Sequence, residues 1–287
     1  MKSLVQEAFR DLLNGTLGIA AIRTYFQRII IKRSLTISLP KSFPQPQNLR
    51  ILAICCYMAD RPSLVEDLIK SVEESKYTQI DLVITNNTNN SPSTAVKNYI
   101  KYTMPKTPKF VAVARIMKEQ FRPYHDYVIV IDDDVKLPTA FFDRYFQVAR
   151  GLSLVLSQPA LTKDSFGTWP CSYQIDEAIA HLVSFVEIGP VTCFEKRIIP
   201  ILRLDGSPMG FGLDFVWARI CRDKRWPMGV IDLVSVQHTL REVAKGYDDK
   251  GEDLLMNEYL SKTRHVPLFV TNIIGQTIFK KDYPELN

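Results

Sequence analysis

Val128-Ile129-Val130-Ile131-Asp132-Asp133-Asp134 is an apolar run of strand length that ends in three adjacent carboxylates. A run without polar interruption suits a strand covered on both faces, as in a parallel sheet. Three neighbouring carboxylates at the mouth of such a strand repel one another, which raises their pKa unless a cation offsets the charge. A hard divalent ion, Mg²⁺ or Mn²⁺, is the natural partner. At strand spacing Asp132 and Asp134 project to the same side, where they can share one ion that also takes phosphate oxygens. A solvated acidic turn is the plain alternative.

Working outward, the pattern alternates strand and helix. Leu49 to Tyr57 reads as a buried strand, and Asp60-Arg61-Pro62-Ser63 leads into a helix with Leu64, Val65, Leu68, Ile69 and Val72 at 3.6-residue spacing, with proline just inside its start. Ile80 to Ile84 is the second strand, closed by Asn86-Asn87-Thr88-Asn89-Asn90; Phe110 to Ala114 is read as the third, and Tyr127 to Ile131 as the fourth. Ser157-Gln158-Pro159 reads as a turn, and Leu182 to Ile188 and Val230 to Val236 as later strands. The fold class is therefore α/β, a mostly parallel central sheet flanked by helices. Ligands bind at the carboxyl ends of the strands in that architecture, where the Asn and Asp clusters fall.

Residues 4–13 and 19–31 carry apolar residues at helical spacing, and a proline-punctuated stretch, 41–47, follows. The expected division is a basic helical extension and linker over 1–47 and a catalytic domain over 48–287, with a nucleotide-binding half at 48–147 and an acceptor half at 148–287.

The net charge of +5 is unevenly placed: the first fifty residues hold eight Lys/Arg against Glu7 and Asp11, and the remainder is close to neutral. A near-neutral body gives no electrostatic case for nucleic acid as a partner. No stretch approaches the roughly 20 apolar residues that span a bilayer. Five cysteines, an odd number without a C-x-x-C pair, fit a reducing compartment, and charges at Glu7, Arg10 and Asp11 interrupt any secretory apolar core. Cytoplasmic residence is expected, with the basic extension offering a contact to the inner face of a membrane, to the domain itself or to a second copy.

Residues 49–147 resemble the nucleotide-binding half of GT-A-fold (Rossmann-like) glycosyltransferases, especially family 2. The carriers are Tyr57-Met58-Ala59-Asp60-Arg61-Pro62-Ser63-Leu64, Val83-Ile84-Thr85-Asn86-Asn87 and the D-x-D segment within Tyr127 to Pro138. Downstream, Ser157 to Leu161, Val186-Glu187-Ile188, Gly212-Leu213-Asp214-Phe215 and Val230 to His238 are also similar to a DXD-containing plant family of unknown function. The resemblance implies a hexosyltransferase that moves a sugar from a nucleotide-diphosphate donor to a hydroxyl acceptor, with inversion. Asp132 and Asp134 would hold Mn²⁺ or Mg²⁺ on the donor diphosphate, and Asp60, Arg61, Asn86 and Asp133 would face the nucleotide sugar. Family members often have Asp at the Asn86 position, where it can accept the N3–H of uracil; Asn offers both donor and acceptor, so a UDP sugar is favoured only weakly and a GDP sugar stays open.

Asp214 lies where the family places the general base that takes the acceptor proton, although Leu213 replaces the usual Glu; Asp there also suits a helix N-cap. Glu187, a carboxylate in an apolar run, is a second candidate for the base or for binding acceptor hydroxyls. Late His238 matches the position of a third metal ligand. Trp169, in a Gly/Pro-bounded loop, could stack on a sugar or pack in the core, and the polar loop Gly246 to Gly251 could close over donor. The acceptor is left open among a glycan, a lipid-linked group and a small molecule. The rival readings are a nucleotidyl- or phosphotransferase using the same carboxylates, and a binding module without catalysis.

Overall fold

A computed structural model of the chain describes residues 19–241 and 249–286. The helix expected over 4–13, and residues 246–248 of the polar loop expected over 246–251, lie outside the described residues.

Helix α1 (Ile19–Ser34) comes first, followed by β1 (Leu49–Tyr57), α2 (Val65–Glu73), β2 (Thr78–Asn86), a single turn α3 (Thr94–Lys97), β3 (Ile100–Thr103), α4 (Lys109–Gln120) and β4 (Tyr127–Asp132). Then come α5 (Phe141–Gly151), β5 (Leu156–Leu161), β6 (Ala178–Val183), β7 (Val191–Glu195), α6 (Leu213–Lys224), β8 (Met228–Val236), α7 (Asp249–Lys262) and β9 (Ile274–Phe279). The strands form one sheet in the order β3-β2-β1-β4-β7-β5-β8-β6-β9. The first half, β3-β2-β1-β4, is wholly parallel; beyond it β7 and β6 run against their neighbours, so the sheet is mixed there.

Both faces of the central strands are buried, and the two-residue period divides them. In β1, Ile51, Ala53 and Cys55 join the core on one side of the sheet, while Leu52 and Ile54 join the other; in β4, Ile129 and Ile131 oppose Val128 and Val130. Helices α2 and α5 cover the first side through Val65, Leu68, Phe142 and Phe146, and α4 and α6 cover the second through Phe110, Val113, Trp217 and Cys221. Helix α2 opens on Glu66 and Asp67, whose charges suit the positive end of the helix dipole. It begins at Val65, so Pro62 precedes it rather than occupying its first turn.

Three sequence expectations are corrected. Phe110 to Ala114 belongs to helix α4, not to a strand: Phe110, Val113, Ile116 and Met117 repeat at helical spacing, a period that a five-residue window cannot distinguish. The third strand is Ile100–Thr103, whose alternate residues are exposed at the sheet edge and so give no apolar run. Ser157-Gln158-Pro159 is not a turn but part of β5. Proline is tolerated there because β7 flanks β5 only through Leu156 and Ser157, leaving Pro159 without a ladder partner on that side. Finally, β6 stops at Val183, so Glu187 lies in an irregular segment beyond the strand.

The proline-punctuated stretch after α1 packs along the body. Ile37 N–H donates to Gln276 of β9 at 3.0 Å, and Phe43 is buried edge-to-face on Tyr283.

Candidate active site

The chain leaves β4 at Asp132 and turns over Asp133 and Asp134, so strand geometry no longer governs where the three side chains point. Each finds a cation or a backbone donor. Asp132 Oδ1 meets Lys109 Nζ at 2.6 Å. Asp133 Oδ2 accepts Met58 N–H at 2.9 Å and its Oδ1 accepts from Arg241, whose Nε also donates to Asp134 Oδ2 at 2.7 Å. Residues at the end of β8 are tied to this turn by paired backbone hydrogen bonds between Lys136 and Gln237, which brings His238 Nε2 to 3.3 Å from Asp134 Oδ2. His238 Nδ1 faces the Phe166 carbonyl at 3.0 Å.

Burial and charge pull these groups in opposite directions. Burial pushes the Asp133 carboxyl up to about 6, against the pull of Arg241. Burial alone would also raise Asp134, but hydrogen bonds and charge from His238 and Arg241 outweigh it and hold this carboxyl below its usual range. Burial works to lower His238, and Asp134 raises it on balance.

The acidic turn forms one wall of a cleft of about 740 Å³ at the carboxyl ends of β1 and β4. Glu187 and Asp214, both buried carboxyls, line the same cleft. Glu187 accepts Ser172 Oγ–H at 2.9 Å and Thr168 N–H at 3.3 Å. Its backbone N–H donates to the buried Gln158 side chain at 2.7 Å, which fixes the irregular segment to β5. Burial pushes Glu187 up to about 7. Asp214 is the second residue of α6, behind a Gly210-Phe211-Gly212 turn with φ of +100° and +88° at its two glycines, conformations that favour residues without a Cβ. The N-cap position is Gly212, so the capping expectation for Asp214 is corrected; Asp214 Oδ1 accepts its neighbour's N–H, that of Phe215, at 2.9 Å. Burial, with the Glu187 charge adding to it, pushes Asp214 up to about 8.

Apolar side chains also contribute to the lining, among them Trp169, which faces the cleft and packs edge-on against Phe185 and Phe215, at ring separations of 5.2 and 6.0 Å.

Other sequence candidates fall outside this arrangement. Asn86 is buried, and its amide is spent within its own turn: Nδ2 donates to Asn90 O at 2.8 Å and Oδ1 accepts from Thr88. Its neighbour Asn87 lines the cleft instead, donating from Nδ2 to Thr107 O at 2.7 Å while its buried Oδ1 has no partner. Asp60 is exposed beside Arg61, and of the two only Arg61 reaches the cleft lining. Sequence reasoning missed Lys109, Arg241 and Asn87. A helical reading of 109–120 would have exposed Lys109 as a cation at a helix start, and Arg241 follows His238 by three residues.

The metal expectation can be tested on donor chemistry. Two carboxylates and an imidazole suit Mn²⁺, and an Nδ1–H bond to the Phe166 carbonyl would leave the Nε2 lone pair facing Asp134. Asp134 and His238 therefore fit. Asp132 and Asp134 each already meet a protein cation, Lys109 and Arg241, and among the described residues no group of three or more His, Cys, Asp or Glu is gathered for an ion.

No family model matches the sequence, and no curated protein matches it. Similar folds occur among solved structures. GalNAc-T7, crystallised with UDP, GalNAc and Mn²⁺, superposes with a TM-score of 0.53 at 10% identity over 73% of this chain and 48% of that one. TarS residues 1–349 of S. aureus give 0.49 at 9% identity over 74% and 71%, and A197 from STIV gives 0.41 at 13% over 66% and 85%. This chain thus spans about half the length of the GalNAc-T7 chain. At such identities the likeness is one of architecture alone, and on it the chain has a GT-A-like α/β fold.

Proposed function

We propose that the chain is a glycosyltransferase that moves a sugar from a nucleoside-diphosphate donor to a hydroxyl acceptor with inversion. The observation that carries this reading is the presence, in one cleft, of a cation-bearing acidic turn and two buried carboxyls that burial pushes up to about 7 and about 8. Lys109 and Arg241 are placed to receive a diphosphate, and Asn87 Oδ1, an unpaired buried acceptor, suits an N–H on a base edge.

The acceptor oxygen attacks the anomeric carbon while its proton passes to Asp214, or to Glu187, which shares the wall. The bond from that carbon to the diphosphate oxygen breaks, and the electron pair leaves with the diphosphate, where Lys109 and Arg241 meet the developing charge. Asp134 and His238 are the residues that would hold Mn²⁺ or Mg²⁺. The ion, when bound, supplies further charge neutralisation at the leaving group.

A thermal-shift panel of UDP, GDP, CDP and dTDP sugars, with and without Mn²⁺, tests the reading. One donor class should raise Tm by mass action and release nucleoside diphosphate slowly. Release of pyrophosphate or phosphate would favour nucleotidyl or phosphoryl transfer, and silence across the panel would refute nucleotide binding.

A further inference from the structure

Helix α1 has two apolar faces. Its inner face is held to the body by buried Ile31 and by Arg28, whose Nη1 donates to Phe269 O at 2.8 Å. Its outer face presents Arg23, Phe26, Ile30 and Arg33, spaced three, four and three residues apart and therefore aligned on one side of the helix. Phe26 is 56% exposed and Ile30 66%, and both arginines are exposed with them. Two large apolar side chains bracketed by guanidinium groups form a surface that water solvates poorly at its centre and that anions attract at its edges.

The helix is joined to the cleft through its inner face. Arg28 docks α1 on the turn Leu268–Val270, and Leu268, 65% exposed, also lines the cleft. A surface bound by the outer face is thus one helix away from a turn that contributes to the cleft lining.

We propose that the outer face of α1 docks on an anionic lipid surface, with Phe26 and Ile30 entering the headgroup layer and Arg23 and Arg33 meeting lipid phosphates and carboxylates. Charge selects this occupant: the net positive charge is concentrated in the first fifty positions, where eight Lys/Arg face only Glu7 and Asp11, and the rest of the chain is near neutral. No described helix is long and apolar enough to cross a membrane, so the contact is peripheral. Such docking carries the cleft to an acceptor whose hydroxyl is borne by a lipid. That last step rests on the transferase reading; the docking does not.

Co-sedimentation of the full chain with vesicles, without nucleotide, tests the docking separately from catalysis. Phosphatidylcholine vesicles containing phosphatidylserine should retain the protein at low salt, and phosphatidylcholine alone should retain it weakly. Arg23→Glu with Arg33→Glu should lower partitioning by at least about 20-fold, taking about fivefold per basic residue at the surface. Phe26→Ser with Ile30→Ser should lower it about tenfold or more through lost apolar burial. Thermal melts confirm that both pairs, being exposed, leave the fold intact. Absence of binding to anionic vesicles, or binding unchanged in both variants, overturns the proposal. So does a concentration-dependent dimer that Phe26→Ser with Ile30→Ser abolishes, which would assign the face to a second copy.

Discussion

Replacing Asp214 with Asn separates electrostatics from shape at the candidate base. The amide keeps an oxygen for the Phe215 N–H and nearly the same volume, but it cannot ionise. Burial and the Glu187 charge raise the carboxyl from 3.8 to about 8. The folded state thus holds this proton more tightly than the unfolded chain does. Its contribution to stability is full below the unfolded pKa and is lost as pH rises through the folded one. Between pH 5 and pH 8 the linkage amounts to about 3–4 kcal/mol at about 1.4 kcal/mol per pKa unit, and water entering the open cleft should reduce the measured figure to about 2–3 kcal/mol. Denaturant unfolding followed by fluorescence of Trp169, Trp217 and Trp226 gives the comparison directly. Wild type should lose stability over this range while Asp214→Asn loses about 2–3 kcal/mol less, and transfer should fall by at least about 100-fold, as expected for removal of a general base. Parallel stability profiles for the two proteins would refute the reasoning, because the carboxyl would then titrate alike folded and unfolded.

Transfer by wild type should rise with pH through about 7 to 8 as Glu187 and Asp214 lose their protons, and Glu187→Gln should move the rise to lower pH by removing a like charge beside Asp214; a pH-rate profile of each reads this. Arg241→Ala strands the buried carboxyls of Asp133 and Asp134 and should cost about 3 kcal/mol in denaturant unfolding, with a loss of nucleoside-diphosphate affinity measured by calorimetry. Gly210→Ala places a Cβ against the Phe110 ring at a φ of +100° and should destabilise by about 3 kcal/mol, visible as a lowered midpoint in the same titration.

The strands β1, β2 and β4 of the parallel half of the sheet were legible because their signal is local. An unbroken apolar run such as Val128 to Ile131 states its own burial, and the carboxylates that end it mark the carboxyl edge of the sheet. Phe110 to Ala114 shows where this fails: an apolar run of five residues satisfies strand and buried helix alike, and only packing of Phe110, Val113 and Met117 against one side of the sheet separates them. The edge strand Ile100–Thr103, half exposed, carried no run to detect.

By itself the sequence determined the α/β class, the position of the acidic turn and the residue types at Glu187, Asp214 and His238. Only the tertiary structure decided how they group. Asp132 turns to Lys109 while Asp134 turns to His238 and Arg241, and Asn87 takes the cleft position while Asn86 closes its own turn. The grouping at Asp134 depends on contacts between residues about a hundred positions apart, such as the Lys136 and Gln237 bridge that brings His238 to Asp134, and the others on residues about twenty positions distant or on the turn itself. Periodicity records which way a side chain faces within its own element. The partner waiting there is set by how strands and loops from both halves of the chain meet, and that pairing has no local signature.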